Sequence, residues 1–214
     1  MDFIYTLIAF IQDGGAFMYP ILIVFSVGIA LGMERAIKLI KVRKSNMKVW
    51  DELYPVMSEH NFDEAREMTS KGDTAIAQLL SMGLAREGTV RRRDDIEIGM
   101  EEAMMEIIPQ LEKRTPHVAL LANISTLLGL LGTIMGLIEA FTAVANANPA
   151  EKADLLSASI SVAMNTTAFG LIAAIPLLLF HAYLVSKTGE IVNSLEMASV
   201  KTLNFITDAA RRQE

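Results

Sequence analysis

The chain has 214 residues, of which 52% are hydrophobic and 21% are charged, and its formal net charge is −6. An ordinary soluble domain usually carries more charge, and an acidic chain is a poor match for a nucleic-acid binder. The chain has no cysteine, which excludes a disulfide framework, a thiolate metal site and a cysteine nucleophile.

Five apolar residues at the N-terminus, from Phe3 to Ile11, recur at helical spacing before a Gly-Gly pair. We therefore expect residues 1–15 to form an amphipathic helix on the membrane surface. The alternative is a simple extension of the first membrane span.

Three apolar blocks follow, at residues 16–33, 118–145 and 155–185. Glu139 is the only charged side chain in the second block, and the third contains no Asp, Glu, Lys or Arg. Each block is long enough to cross a hydrocarbon layer of roughly 30 Å. The sequence therefore predicts an all-α integral membrane protein with three transmembrane helices. The second and third would be about 40 Å or longer, so they tilt or project beyond the hydrocarbon.

Basic residues set the predicted orientation, because cytoplasmic flanks of membrane spans are enriched in Lys and Arg. They cluster after the first span, before the second and after the third, at Arg35, Lys38, Lys41, Arg43, Lys44, Lys48, Lys113, Arg114 and Lys187. This pattern predicts that residues 41–115 and the C-terminus lie inside, and that the N-terminus and residues 146–154 lie outside.

The predicted inner segment is helical rather than disordered. Ile76, Leu79, Leu80 and Leu84 recur at helical spacing, and a further helix is expected from about Asp94. Bends are predicted at Pro109 and Pro116. The predicted segments are an amphipathic helix (1–15), transmembrane helices (16–40, 118–145 and 155–185), a cytoplasmic helical region (41–117), an outer loop (146–154) and a cytoplasmic C-terminal helix (186–214).

The sequence does not indicate an enzyme. The three histidines, His60, His117 and His181, lack the spacing of metal ligands, and there is no Walker motif for nucleotide hydrolysis. We expect no catalytic residues, no bound metal and no cofactor.

Small residues in the spans predict close helix packing. Gly129, Gly132 and Gly136 lie at small-residue spacing in the second span, and Gly170 is assigned the same role in the third. Such residues let helix backbones approach each other in lipid.

Polar residues in the spans predict a path for an ion. Thr133 and Thr167 each lie about 18 Å from the outer end of their spans, so they meet if the two helices are neighbours. Threonine hydroxyls donate and accept hydrogen bonds and can coordinate or pass an ion through water. Asn165 and Thr166 broaden the same polar surface. The alternative is that these hydroxyls bond only their own helices.

Glu139 allows two interpretations. A carboxylate inside a span is costly, and it indicates function by default. Glu139 also lies nearer the outer end of its span, where it would be an ordinary interfacial residue.

Two stretches of these spans carry a family resemblance. GLLGTIMGLIEAF at residues 129–141 and AMNTTAFGLIAAIP at residues 163–176, together with the three-span layout, resemble the MotA/TolQ/ExbB family of ion-driven motor subunits. The chain length and the single short outer loop resemble the ExbB/TolQ branch.

The resemblance implies a homopentamer around two copies of a single-span ExbD/TolR-like partner, whose aspartate binds and releases the ion. Thr133 and Thr167 would line the path. Ion flow would turn the ring and deliver work outside, in some systems to a TonB-like effector that spans the envelope. The resemblance also implies the bacterial inner membrane, with a periplasmic N-terminus and a cytoplasmic C-terminus. The translocated ion would be a proton, with sodium as the alternative.

The sequence departs from this family at two positions. The ExbB and TolQ chains typically carry a glutamate where this chain has Val162, and ExbB chains often carry a proline where it has Thr126. Losing the glutamate could suit sodium, which accepts neutral oxygen ligands. Two other classes stay open: a secondary transporter that binds a solute alone, and a membrane scaffold whose glycines serve packing only.

Overall fold

The computed structural model describes residues 14–86 and 93–213, and these residues are almost entirely helical. The helices are α1 (Met18–Ser58), α2 (Phe62–Ser70), α3 (Ala75–Arg86), α4 (Arg93–Glu112), α5 (Thr115–Asn146) and α6 (Lys152–Gln213). Three helical stretches, Met18–Ser58, Arg93–Ala145 and Lys152–Arg211, are long and apolar enough to cross a membrane. This confirms the predicted all-α membrane protein with three spanning helices.

Several predicted segment boundaries fall inside continuous helices. The span predicted at residues 16–40 lies in α1, which begins at Met18 and runs to Ser58, and the third span and the C-terminal segment are both parts of α6. The charged sequence after each span is rich in Lys, Arg, Glu, Leu and Met, all good helix formers, so a change in polarity does not end the helix. Most of the predicted N-terminal helix, residues 1–13, lies outside the described residues.

The second span is separated from α4 by a backbone break at Arg114. The φ of Arg114 is 68°, in the left-handed region. This conformation costs a non-glycine residue roughly 1–2 kcal/mol. Pro116 lies in the first turn of α5, where its missing N–H costs no helical hydrogen bond. Pro109 lies inside α4 and does not end it.

The chain divides into two compact units. The first comprises residues up to Glu34 together with Arg114–Tyr183, and the second comprises Arg35–Lys113 together with residues from Leu184 onward. Helices α1 and α6 contribute residues to both units.

In the first unit, α1 packs closely on α6. Met18 and Ile21 of α1 form a buried cluster with Phe169 and Ala173 of α6. Further along α1, a Cβ atom on Gly28 would lie 2.8 Å from a methyl carbon of Leu177, and one on Gly32 would lie 2.5 Å from the ring of Phe180. The two glycines therefore let the large side chains of α6 sit against the backbone of α1.

In the second unit, α2 packs on α3 and α3 packs on α4. The predicted apolar positions of α3, Ile76, Leu79, Leu80 and Leu84, are all buried, which confirms the helical periodicity in this region. Buried Asn46 of α1 accepts a hydrogen bond from the backbone N–H of Ile76 (3.3 Å) and so ties α1 to the start of α3.

Arg35 of α1 contacts the C-terminal end of α4 in the same unit. Its side chain is only 1% exposed, and its guanidinium donates a hydrogen bond to the carbonyl oxygen of Leu111 near the C-terminus of α4. The last carbonyl groups of a helix have no partner within that helix. A buried cation is well suited to satisfy them, because it also meets the negative end of the helix dipole.

Candidate functional site

Helices α5 and α6 approach each other along a line of glycines in the first unit. A Cβ on Gly170 would lie 2.8 Å from the carbonyl oxygen of Ser125 and 2.9 Å from the Cα of Gly129. A Cβ on Gly136 would lie 2.9 Å from the Cβ of Ala163, and one on Gly132 would overlap the side chain of Thr166. All four glycines assigned to packing from the sequence thus lie at this contact. The backbones are close enough for a side chain on one helix to reach a carbonyl group of the other.

Thr133 and Thr167 form hydrogen bonds across this close contact between α5 and α6. Their hydroxyl oxygens are hydrogen-bonded to each other across the two helices. Oγ1 of Thr133 is also 3.2 Å from the carbonyl oxygen of Ala163, four residues before Thr167. Reciprocally, Oγ1 of Thr167 is 3.0 Å from the carbonyl oxygen of Gly129, four residues before Thr133. Each threonine therefore reaches the carbonyl that the other would normally bond within its own helix.

The threonine pair has more hydrogen-bond acceptors within reach than it has hydroxyl protons to donate. Thr133 has a second acceptor at the carbonyl oxygen of Gly129, 3.2 Å away. Each hydroxyl carries one proton and two lone pairs, so either threonine can donate to the other while the second donates to a carbonyl oxygen. Both side chains are half-buried. The pair is thus an oxygen-rich, rearrangeable hydrogen-bond site that is open on one side.

No titrating group belongs to this pair within the described residues. Glu139 is exposed and Asn165 is half-buried, and neither side chain makes a hydrogen bond in the part of the chain that the structure describes. The same part contains no group of three or more His, Asp or Glu side chains placed to hold a metal ion. Because a threonine hydroxyl does not ionise near neutral pH, the site offers oxygen ligands without a proton-binding carboxylate.

Thr166 faces different partners from its neighbour Thr167. Its side chain is 2% exposed, and its hydroxyl lies 2.6 Å from the carbonyl oxygen of Gly14 and 3.0 Å from that of Val162. It anchors the turn that precedes α1. The structure thus brings Thr133 and Thr167 together, as predicted from their equal depth, but does not bring Thr166, Asn165 or Glu139 into the pair.

Sequence reasoning missed two features in the unit that contains the site. One is the small-residue pair Gly28 and Gly32 of α1, whose four-residue spacing was the same signal used for Gly132 and Gly136. The other is the ion pair of Glu34 with Arg114 (2.8 Å), which links the first span to the start of the second. Its two members lie far apart in sequence, so no local pattern could have found it.

The motifs that carry these threonines and glycines also match a known family. The sequence model of the MotA/TolQ/ExbB proton channel family matches residues 71–197, more than half of the chain. The chain belongs to this family. The matched region contains the whole of α5 and the part of α6 that holds Thr167 and Gly170.

Similarity to individual proteins supports the ExbB/TolQ branch of the family. The chain is 24% identical over 94% of its length to an ExbB homolog named for biopolymer transport in Methanothermobacter thermautotrophicus, covering 71% of that protein. It is 26% identical over 78% of its length to an ExbB-like protein of Synechocystis, covering 79% of it. It is 33% identical over 53% of its length to the Tol-Pal system protein TolQ of Haemophilus influenzae, covering 48% of it.

Proposed function

We propose that this chain is the ring subunit of an ion-driven motor in the bacterial inner membrane. Five copies would surround the membrane helices of two copies of a single-span, ExbD/TolR-like partner. Ion flow through the assembly would be converted into mechanical work at the cell envelope. The observation that carries this proposal is the Thr133–Thr167 pair, because it places rearrangeable oxygen ligands between two spanning helices inside the family's matched region.

The composition of the site explains why a partner chain is needed. The threonine oxygens can hold or relay an ion through water, but among the residues that the structure describes no carboxylate or other titrating group is bonded to them. A carboxylate on the partner's helix would supply such a group. Glu139 and Asn165 stay proposed members of the path, because their side chains form no hydrogen bond with the described residues. Thr166 would position the turn that contains Gly14.

The exposed apolar surface of α5 and α6 supports an assembly in a bilayer. Large side chains on these helices are exposed in the single chain, including Leu127 (63%), Phe141 (63%), Met164 (65%) and Leu179 (69%). Faces of this kind are covered by lipid or by other helices. The proposed orientation keeps the N-terminus and the α5–α6 connection in the periplasm, and the second unit in the cytoplasm, following the basic residues after the first span.

The proposed ion is the proton, and sodium is the second candidate. One feature of the sequence favours sodium: Val162 stands where ExbB and TolQ chains typically have a glutamate. The threonine hydroxyls and carbonyl oxygens then remain as neutral ligands, which sodium accepts. Proteoliposomes holding the complex, assayed separately with a proton and a sodium gradient, decide between the two ions.

The stoichiometry of the complex tests the architecture. Native mass spectrometry of the detergent-extracted chain, co-expressed with a single-span, ExbD/TolR-like protein, is expected to show five copies holding two of the partner. A monomer or dimer that binds no partner would contradict the motor. It would favour a transporter or scaffold instead.

A further inference from the structure

A basic stripe runs along the part of α1 that belongs to the second unit. It consists of exposed side chains that recur every three or four residues and therefore lie on one side of the helix. These are Ile37, Ile40, Lys41, Lys44, Met47 and Lys48. Between residues 35 and 50 this helix has no Asp or Glu. The stripe therefore combines apolar side chains with positive charges and contains no negative charge.

An acidic stripe runs along α4 in the same unit. It consists of exposed or half-buried residues at the same spacing: Asp94, Glu97, Glu101, Met104, Met105 and Ile108. Most of these border a cavity of about 570 Å³ between α4 and α6, which Glu196 also lines. The methionines give this surface side chains that adapt to a partner's shape.

Most charges on the two stripes form no ion pair within the described residues, although neighbouring charges are paired. Arg43 binds Glu190 (3.1 Å) and Arg86 binds Glu102 (2.9 Å). The hydrogen bond from Lys187, helped by its charge and by that of Arg43, lowers the pKa of Glu190. In the described residues, by contrast, Lys41, Lys44, Glu97 and Glu101 form no ion pair. Lys48 has only a 3.9 Å contact with Glu52, and both side chains are largely exposed.

We infer that the basic stripe of one copy docks on the acidic stripe of the next copy around the ring. A closed ring with cyclic symmetry needs two different surfaces on each copy, one for each neighbour. The two stripes are such a pair: their charges are opposite, and each mixes charge with exposed apolar side chains that would be buried on contact. This inference rests on the proposed ring and specifies the contact that closes it in the second unit.

Charge reversal on each stripe, alone and combined, tests the inference. Lys44→Glu with Lys48→Glu, and separately Glu97→Lys with Glu101→Lys, are expected to lose the pentamer in native mass spectrometry with the partner present. All four substitutions together are expected to restore it, because the stripes are again complementary. Glu59→Lys with Asp208→Lys is the matched control. It makes the same change in net charge as the Glu97 and Glu101 reversal, at exposed positions of the second unit outside both stripes.

The possible outcomes separate this inference from the proposed function. Both reversed pairs leaving the pentamer intact would overturn the inference alone. The inference would also be overturned if only the Lys44 and Lys48 reversal lost the pentamer and the fourfold variant did not recover it. That result would indicate that the lysines bind anionic lipid headgroups. A wild-type chain that forms no ring would overturn the proposed function and this inference with it. Far-UV circular dichroism of each variant verifies that the helices are retained.

Discussion

Thr133 and Thr167 gain their importance from the glycines around them. A threonine in a helix normally bonds the carbonyl four residues earlier on its own chain. Here α5 and α6 are so close at Gly129 and Gly170 that each hydroxyl also reaches a carbonyl of the other helix. At the residue scale, the site therefore depends on the absence of side chains as much as on the presence of hydroxyls.

Two alanine substitutions on α6 test this dependence on close approach. Gly170→Ala places a Cβ 2.8 Å from the carbonyl oxygen of Ser125, so backbone must move. We expect a loss of about 1–3 kcal/mol in the free energy of unfolding. The matched control is Gly189→Ala on the same helix, where nothing lies within 4 Å of the new Cβ. It should stabilise by about 0.5–1 kcal/mol, because alanine is the better helix former. Thermal unfolding in detergent measures both, and equal Tm values would contradict the packing described.

The pairing of the two threonines could be predicted from sequence, whereas the surroundings of Thr166 could not. Thr133 and Thr167 lie at equal depth in their spans, so neighbouring helices must bring them together. The burial of Thr166 depends on where the turn at Gly14 runs, and no helical periodicity contains that information. For the same reason, the exposure of Glu139 in a single chain does not decide between a role in the path and an interfacial position.

At the scale of elements, the sequence predicts that the long helices exist but does not predict the residues at which they end. Apolar length marks a span, but helix propensity continues into the charged sequence that follows, so α1 extends to Ser58 and α6 to Gln213. The break between α4 and α5 occurs at Arg114 and not at Pro109. The carbonyl groups near the end of α4 are satisfied by Arg35, which lies 76 residues earlier than Leu111.

Arg35→Met removes the buried donor at the end of α4 while keeping an apolar side chain of similar length. The carbonyl of Leu111 would lose its charged partner, and we expect a loss of about 2–3 kcal/mol in stability. The comparison variant is Glu34→Gln, at the next position, which disrupts the half-exposed pair with Arg114 and should cost less than about 1 kcal/mol. Chemical unfolding of both proteins provides the test. A larger effect for Glu34→Gln would show that the surface pair, and not Arg35, stabilises this region.

At the scale of the whole molecule, the features of the chain are those expected of one subunit of a larger membrane assembly. Within the described residues it has three helices long and apolar enough to span a membrane, a polar site without a titrating group, exposed apolar faces on these helices, and charges of opposite sign on α1 and α4 that mostly form no ion pair. Each of these is incomplete in a monomer. A ring of copies around a carboxylate-bearing partner helix would complete all of them.

The most direct test of the central claim is ion flux through the threonine pair. Proteoliposomes holding the chain with the proposed single-span partner would be assayed for ion uptake under an imposed gradient, using wild type, Thr167→Val and Thr126→Val. Thr126 is the matched control, because it lies on α5 and its hydroxyl bonds only its own helix, at the carbonyl of Ala122. We predict that Thr167→Val abolishes flux with the ring intact, and that Thr126→Val conducts like wild type. Normal flux in an assembled Thr167→Val complex would remove the threonine pair from the ion path and contradict the account.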